Sequence, residues 1–514
     1  MAGEAEPRVR SGSSAGFPWG PVAVVFVLLV SSVVLLSGGA AGAAAPAPAT
    51  GHSSAVPGSP LALASASLGR GEGPAAGSAL TCQATSASGA DCSSVPASPT
   101  SLTATESAGW ANLTGQQTVS PPARSYGRSI AFDPVDQYVL MFGGYTGGYL
   151  ADTWAFHNGT WHQLHPSPAP SPRDHSSLAW DAADGYLVLF GGSGYSGAYS
   201  DTWSFLNGTW TSYSPSTHPS DRWSTSMVYD AADGYVLLFG GCAGSEISDT
   251  WTYSAGTWTQ LFPVTHPSDR GDAMMVYNPT DHDVVLFGGE DVVNFGDTWT
   301  YHGGNWTQAS PTASPAARSM GSMAYDSALG AVVLFGGSGG TGSLSDTWIF
   351  SEGSWTPATG ISSPAAQTFG LMTDDPADGY VVFYGAGSTY GAPVETWAFY
   401  TIAASAGISK DQAPAPANVT LSAASVDPMA SVGYDWSFGD GTTGAGASVD
   451  HTYLLPGFYY ATVSATDTNG VSASASVAFQ GISALSAVAT VSPGAGVVPL
   501  VVGLSAAAVG GMAP

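Results

Sequence analysis

Residues 222–261 read RWSTSMVYDAADGYVLLFGGCAGSEISDTWTYSAGTWTQL. Four short strands fit this stretch. The first follows Arg222 and ends at the Asp-led turn DAADG. The second is the apolar run VLLFGG (236–241), closing on a Gly pair. The third is DTWTY (249–253), and the fourth is GTWTQL (256–261). Alternating apolar residues bounded by Gly, Asn and Asp turns favour strands over helices.

The same unit recurs on both sides. DTW or its variant occurs at Asp152–Trp154, Asp201–Trp203, Asp249–Trp251, Asp297–Trp299, Asp346–Trp348 and Glu395–Trp397, in steps of 49, 48, 48, 49 and 49. An apolar run precedes each: VLMFGG, LVLFGG, VLLFGG, VVLFGG, VVLFGG and VVFYGA. The first strands begin near Arg124, Arg173, Arg222, Arg270 and Arg318, and the sixth unit has Gln367 there. A period near 50 indicates propeller blades or a similar array. The sixth unit stops at ETWAFY (395–400) without a fourth strand, and the matching piece, GWANLT (109–114), precedes the first unit. That strand can complete the last blade and close a ring of six, removing free edges. Twelve of the 16 Trp fall on the DTW or fourth-strand positions, so they read as architecture and not as a sugar-stacking row.

With its Gly pairs and spaced aromatics, this pattern resembles the kelch family over about 290 residues (109–400). The resemblance implies a six-bladed β-propeller. Residues 410–481 change character: YDWSFGDG (434–441), HTY (451–453) and PGFYYATVSATDTNG (456–470) resemble a PKD domain, an immunoglobulin-like β-sandwich. The expected class is therefore all-β, a propeller plus a sandwich. LSAAAVGGMAP (504–514) matches LSAASVDPMAS (421–431) at an offset of 83, with seven of eleven positions identical. Residues 482–514 thus read as the start of a second, truncated PKD-like unit.

Composition narrows function. The formal net charge is −27, with ten Lys and Arg against 37 Asp and Glu. Nucleic-acid binding needs cations that neutralise phosphate, so that class is excluded. At the N-terminus, Arg8 and Arg10 precede the uncharged run PVAVVFVLLVSSVVLL (21–36) and small residues to Ala45. Residues 1–45 read as a signal peptide or a retained membrane anchor, either of which makes the rest extracellular or cell-surface. Residues 46–108, rich in Ala, Ser, Pro and Gly, read as a flexible stalk. In an exported chain, Cys82 and Cys92 are the disulfide candidates, closing a small loop.

Repeat phasing bears on chemistry. One Arg and one Asp per unit read as structural, as mutual partners, because a catalytic pair should break the symmetry. Galactose oxidase, a copper enzyme, has a kelch-type propeller. Yet Cys242 is the only propeller Cys, and His175 holds a position filled elsewhere by Tyr126, Ser224, Asp272 and Met320. No metal-ligand spacing appears, so no cofactor, metal or catalytic residue is expected. Asn112, Asn158, Asn207, Asn305 and Asn418 stand in glycosylation sequons. The loops between second and third strands are long and vary between units, which is where a rigid scaffold carries binding. They nominate Tyr145, Tyr149, Tyr195, Tyr199, Glu246, Asp291, Phe295 and Tyr390 as ligand-face residues. The reading is a surface binding or adhesion scaffold for a protein or carbohydrate. The alternatives are a secreted carbohydrate-active or galactose-oxidase-like enzyme, or a structural coat component.

Overall fold

The computed structural model describes residues 103–386, 394–429, 431–484, 486–492 and 503–509. The expected leader, the Cys82–Cys92 pair and Tyr390 lie outside these residues, as does most of the expected stalk.

Five four-stranded antiparallel sheets follow one another along the chain. The first comprises Ile130–Asp133, Tyr138–Phe142, Thr153–His157 and Thr160–Leu164. The others span 177–213, 226–261, 274–309 and 322–358. A further set has Leu371–Asp375, Tyr380–Ala386 and Val394–Ile408, and its outer strand comes from the N-terminal side: Glu106–Asn112 pairs with Val394–Ile408, setting Trp110 opposite Phe399. The displaced strand expected at 109–114 is thus present, three residues early at its start and two shorter at its end.

The second strand of each sheet is apolar on both faces because both faces are covered. Val236, Leu237 and Leu238 are fully buried, and Phe239 nearly so. Neighbouring sheets pack face to face: Phe142 of the first meets Trp210 of the second edge-on at 5.2 Å. The first strands lie side by side in chain order, and Leu371–Asp375 returns beside Ile130–Asp133.

The fourth-strand Trp of each sheet hydrogen-bonds the DTW Thr of the sheet before it. The Nε1 atoms of Trp210, Trp258, Trp306 and Trp355 donate to Oγ1 of Thr153, Thr202, Thr250 and Thr298 at 2.9–3.2 Å. Trp110 donates to Thr347, and Trp161 of the first sheet donates to Thr396 of the last, both at 3.1 Å. The Thr is buried, so its hydroxyl needs this partner.

Val394–Ile408 is 15 residues long and runs on into the C-terminal sandwich. Its second half pairs with Ala417–Val426, which pairs with Ser448–Tyr453. The facing sheet contains Val432–Ser437, Gly457–Asp467 and Ser472–Ile482. Trp436, Tyr453, Val463 and Phe479 fill the space between, together with Ile402 and Ala404. Two expected boundaries move as a result. The sandwich recruits its first core residue at Ile402 and not at 410, because one strand serves both bodies. Among the described residues the first strand lies inside the expected stalk, because Thr103–Ala104 pairs with Ser476 and Ala475. Where the two bodies meet, Tyr400 donates its hydroxyl to the Asp467 carboxylate, and Asn469 Nδ2 donates to Tyr400 at 3.2 Å.

Beyond the sandwich, Ser486–Ser492 pairs with Gly503–Val509. Ser486 faces Val509 and Val491 faces Leu504, which repeats the pairing of Ala403 with Val426 and of Ile408 with Leu421, 83 residues upstream.

Candidate functional site

The phased Arg and Asp build the platform under the long loops. Arg173 sends Nη1 to Asp201 Oδ1 at 2.5 Å and Nη2 to Oδ2 at 2.7 Å. Nη1 also donates to the Gly191 carbonyl at 2.9 Å, and Trp203 donates to Asp201 Oδ2 at 2.8 Å. Arg124, Arg222, Arg270 and Arg318 repeat this with Asp152, Asp249, Asp297 and Asp346. Burial pushes Asp297 up, but the Arg270 and Trp299 hydrogen bonds overcome it and leave the carboxyl below its ordinary range. The Gly pair is required here. Gly191 has φ +65, and a Cβ on it would stand 2.7 Å from the Arg222 carbonyl.

Two nominated residues belong to this platform. The Arg173 guanidinium lies over the Tyr199 ring at 4.3 Å, and that of Arg270 over Phe295 at 4.1 Å. Both half-buried rings sheathe a structural cation. Glu246 is half-buried and bridges back to Cys242 through the backbone, while Asp291 is exposed at a loop tip. Tyr145, Tyr149 and Tyr195 do come together: Tyr149 meets Tyr145 edge-on at 5.4 Å and Tyr195 at 4.9 Å. Tyr195 is 74% exposed.

This cluster continues inward through residues not nominated for ligand binding. Tyr145 is 6.2 Å from Tyr126, which stacks on His175 at 4.8 Å and meets Phe369 edge-on at 4.4 Å. Tyr126, His175, Ser224, Asp272, Met320 and Phe369 each stand two residues after the phased Arg or Gln367, and all six have φ between 49 and 60. Such conformations in non-Gly residues carry strain that the surroundings must hold. Here a backbone relay holds it: the N–H of His175, Ser224, Asp272, Met320 and Phe369 each donates to the carbonyl of the preceding member. The phasing was visible in the chain; the left-handed backbone that brings Tyr126, His175 and Phe369 together was not.

Inside this ring is a central cavity of about 390 Å³ lined by the first strands. Side chains alternate along a strand, so the second and fourth residues share a face. The second residues form an apolar layer that includes Met227, Met275, Met323 and Met372, all lining the cavity. At the loop end, Arg128 breaks the repeat symmetry. It reaches from the first repeat to the fourth, donating to Asp272 Oδ1 at 2.5 Å and to the Ala273 carbonyl at 2.6 Å. Asp174, buried next to this ring, bonds His175 Nδ1 at 3.0 Å.

Among the described residues no three His, Cys, Asp or Glu side chains are grouped to hold a metal. Burial pushes the Cys242 thiol up, and the Glu246 and Asp272 carboxylates add to this, so the thiolate is disfavoured. Asn112, Asn158, Asn207, Asn305 and Asn418 are all exposed, and Asn158 and Asn207 occupy the same tight turn with φ 48.

Comparison with known families agrees with this architecture. Residues 91–265 match the KLHDC2/KLHL20/DRC7 Kelch-repeats domain, and residues 403–480 match the PKD domain. The chain carries kelch repeats followed by a PKD domain. The kelch match ends with the third repeat, and the Arg–Asp clamp and Trp–Thr bond carry the same pattern through the rest of the array. No curated protein matches the chain. Kelch and PKD domains are typically non-catalytic interaction modules. Among the described residues no helix is long and apolar enough to cross a membrane.

Proposed function

We propose that this chain is an exported, surface-held binding scaffold. In this reading six blades form one closed kelch ring, whose loop face engages a protein or carbohydrate ligand. The observation that carries the reading is the aromatic wall on that face. Tyr195, Tyr149, Tyr145 and Tyr126 follow one another across two repeats toward the channel mouth, ending on His175 and Phe369. Rigid rings contribute contact area at little cost in conformational entropy, and stacking on a sugar or side-chain face is what such a wall can do.

Orientation supports it. Glu106 pairs with Ala403 and Asn112 with Trp397, so the incoming strand and the outgoing strand both connect on the PKD side of the ring. The long loops are at the other end. A tether through either connection leaves the aromatic wall pointing away from the attachment. The apolar run at 21–36 supplies the export signal in this reading, and the repeated register at 486–509 makes the PKD region a spacer array.

The test is glycan-array and displayed-peptide binding by the purified chain, repeated with Tyr149→Ala and Tyr195→Ala. A saturable ligand lost in both variants, with thermal stability kept, is the expected result. A ligand retained by both variants overturns the assignment of the face. Bound copper with alcohol oxidation by the native chain overturns the scaffold reading.

A further inference from the structure

The other end of the channel is chemically unlike the loop end. The next-to-last residue of each first strand lines the cavity there: Phe132, Trp180, Tyr229, Tyr277, Tyr325 and Asp374. Five repeats place an aromatic ring at this position and the sixth places a carboxylate. A repeat-wide structural role is already met by the five, so the exception needs its own account. Asp374 Oδ1 is fully shielded and has no hydrogen-bond partner among the described residues. Burial, with the Asp326 carboxylate adding to it, pushes the Asp374 carboxyl up to about 7 against the opposing Ser327 hydrogen bonds.

No basic side chain among the described residues pairs with Asp374. Among the described residues all six Arg stand at the loop end, directly before the first strands, and Lys410 lies past the propeller. The turns around this mouth carry carboxylates instead, including Asp136, Asp184, Asp233 and Asp378. Clefts lined by one sign of charge concentrate counter-ions of the opposite sign. Aromatic faces attract organic cations in the same way, most strongly where water is excluded. Behind the collar lies the Met-containing apolar layer, with room for a short hydrocarbon stem, and Arg128 crosses the far end.

We propose that this mouth binds an alkylammonium group, with the cationic head between Asp374 and the aromatic collar and the apolar stem directed into the Met-lined channel. The group has two sources, a free amine or quaternary ammonium compound, or a lysine side chain of a partner. The site is on the opposite face from the aromatic wall, so it stands or falls separately from the loop-face reading.

The experiment uses the full chain, calorimetry and Trp fluorescence, with octyltrimethylammonium, octanoate and octyl glucoside as probes sharing one stem. The expected result is saturable binding of the ammonium probe, with the other two weaker by about tenfold or more. Asp374→Asn, close in shape, should weaken the ammonium probe by about the same factor at unchanged melting temperature. Trp180→Leu should weaken it as well, giving a second readout independent of the carboxylate. Competition by choline or by a trimethyllysine peptide then distinguishes the free from the side-chain source, and displacement by either supports the site. Three results overturn the proposal: no saturable ammonium binding up to about 10 mM, comparable binding of octanoate, or full affinity retained by both variants.

Discussion

Trp110 donates its indole N–H to Thr347 Oγ1 at 3.1 Å, across 237 positions of sequence. The bond is buried and joins the N-terminal strand to the fifth repeat. Trp161 makes the equivalent bond to Thr396. Together they close a circuit in which each repeat is fastened to the one before it by the same pair of atoms.

Trp110→Ala should therefore act as a closure defect and not only as a cavity. Removing a buried Trp costs about 3–5 kcal/mol, and here the freed strand also exposes the edge of Val394–Ile408. The expected outcome is a melting point well below that of Trp110→Phe, together with concentration-dependent association seen by light scattering. A monomeric Trp110→Ala protein with near-native stability would contradict the closure role.

Arg270→Ala should destabilise by about 3–5 kcal/mol, because it leaves Asp297 half-enclosed without its cation. The Arg270 side chain is 1% exposed and that of Asp297 21%. Asp297→Asn on the Arg270→Ala background removes the stranded charge and should recover part of the loss. Chemical denaturation of the single and double variants measures this coupling.

Stability should rise as pH falls from about 8 toward about 4.5. Burial holds Asp181 at about 6 and Asp375 at about 7. A folded-state value above the unfolded one means that the folded protein takes up the proton first, so stability is gained as pH drops through 7 and 6. The Arg-paired Asp297 and Asp346 work the other way, since their folded values are lowered. Their contribution is complete above about pH 4 and is lost as pH falls below it. Melting curves across this range should show a maximum on the acid side of neutrality.

Asp375→Asn should remove part of that pH dependence and stabilise the protein at pH 8, on the order of 1–2 kcal/mol. The fourth repeat already has Asn278 at this position, where Nδ2 donates to Asp281 at 2.9 Å and Oδ1 accepts the Thr280 N–H. The side chain is thus compatible with the turn. A variant that melts lower than the native chain at pH 8 would show that the carboxylate, not its burial, is what the turn needs.

Gly192→Ala should cost about 1–3 kcal/mol. Gly192 has φ +100, and an added Cβ would meet the Asp174 carbonyl at 2.6 Å. The displaced neighbour is next to His175, so loop-face binding should weaken along with stability.

Repeat architecture was legible in the chain because periodicity survives in one dimension. DTW, the Gly pair and the phased Arg keep their spacing, and even the displaced strand at Trp110 declares itself by the gap after Tyr400. The clamp between Arg and Asp followed from their shared phase. What the chain could not reveal was direction. Tyr199 and Phe295 end variable loops two residues before the DTW Asp, where the other repeats have Leu150, Ile247 and Leu344, and their rings fold back over Arg173 and Arg270. Tyr126, His175 and Phe369 were hidden for the converse reason: they stand at a repeat-phased position of mixed composition, and only the left-handed backbone turns them together. The PKD boundary moved because a 15-residue strand serves two cores, and no composition shift marks the point where one ends.

That shared strand has a mechanical consequence. Tension arriving along the chain upstream of Thr103 meets two ladders in turn, Thr103–Ala104 on Ser472–Ile482 and Glu106–Asn112 on Val394–Ile408, and leaves through the PKD body. The first five repeats lie off this load path, as a loop hung beside a rope. A pull on the tether would stretch the junction while leaving the ring, and the wall of tyrosines on its far side, unstrained.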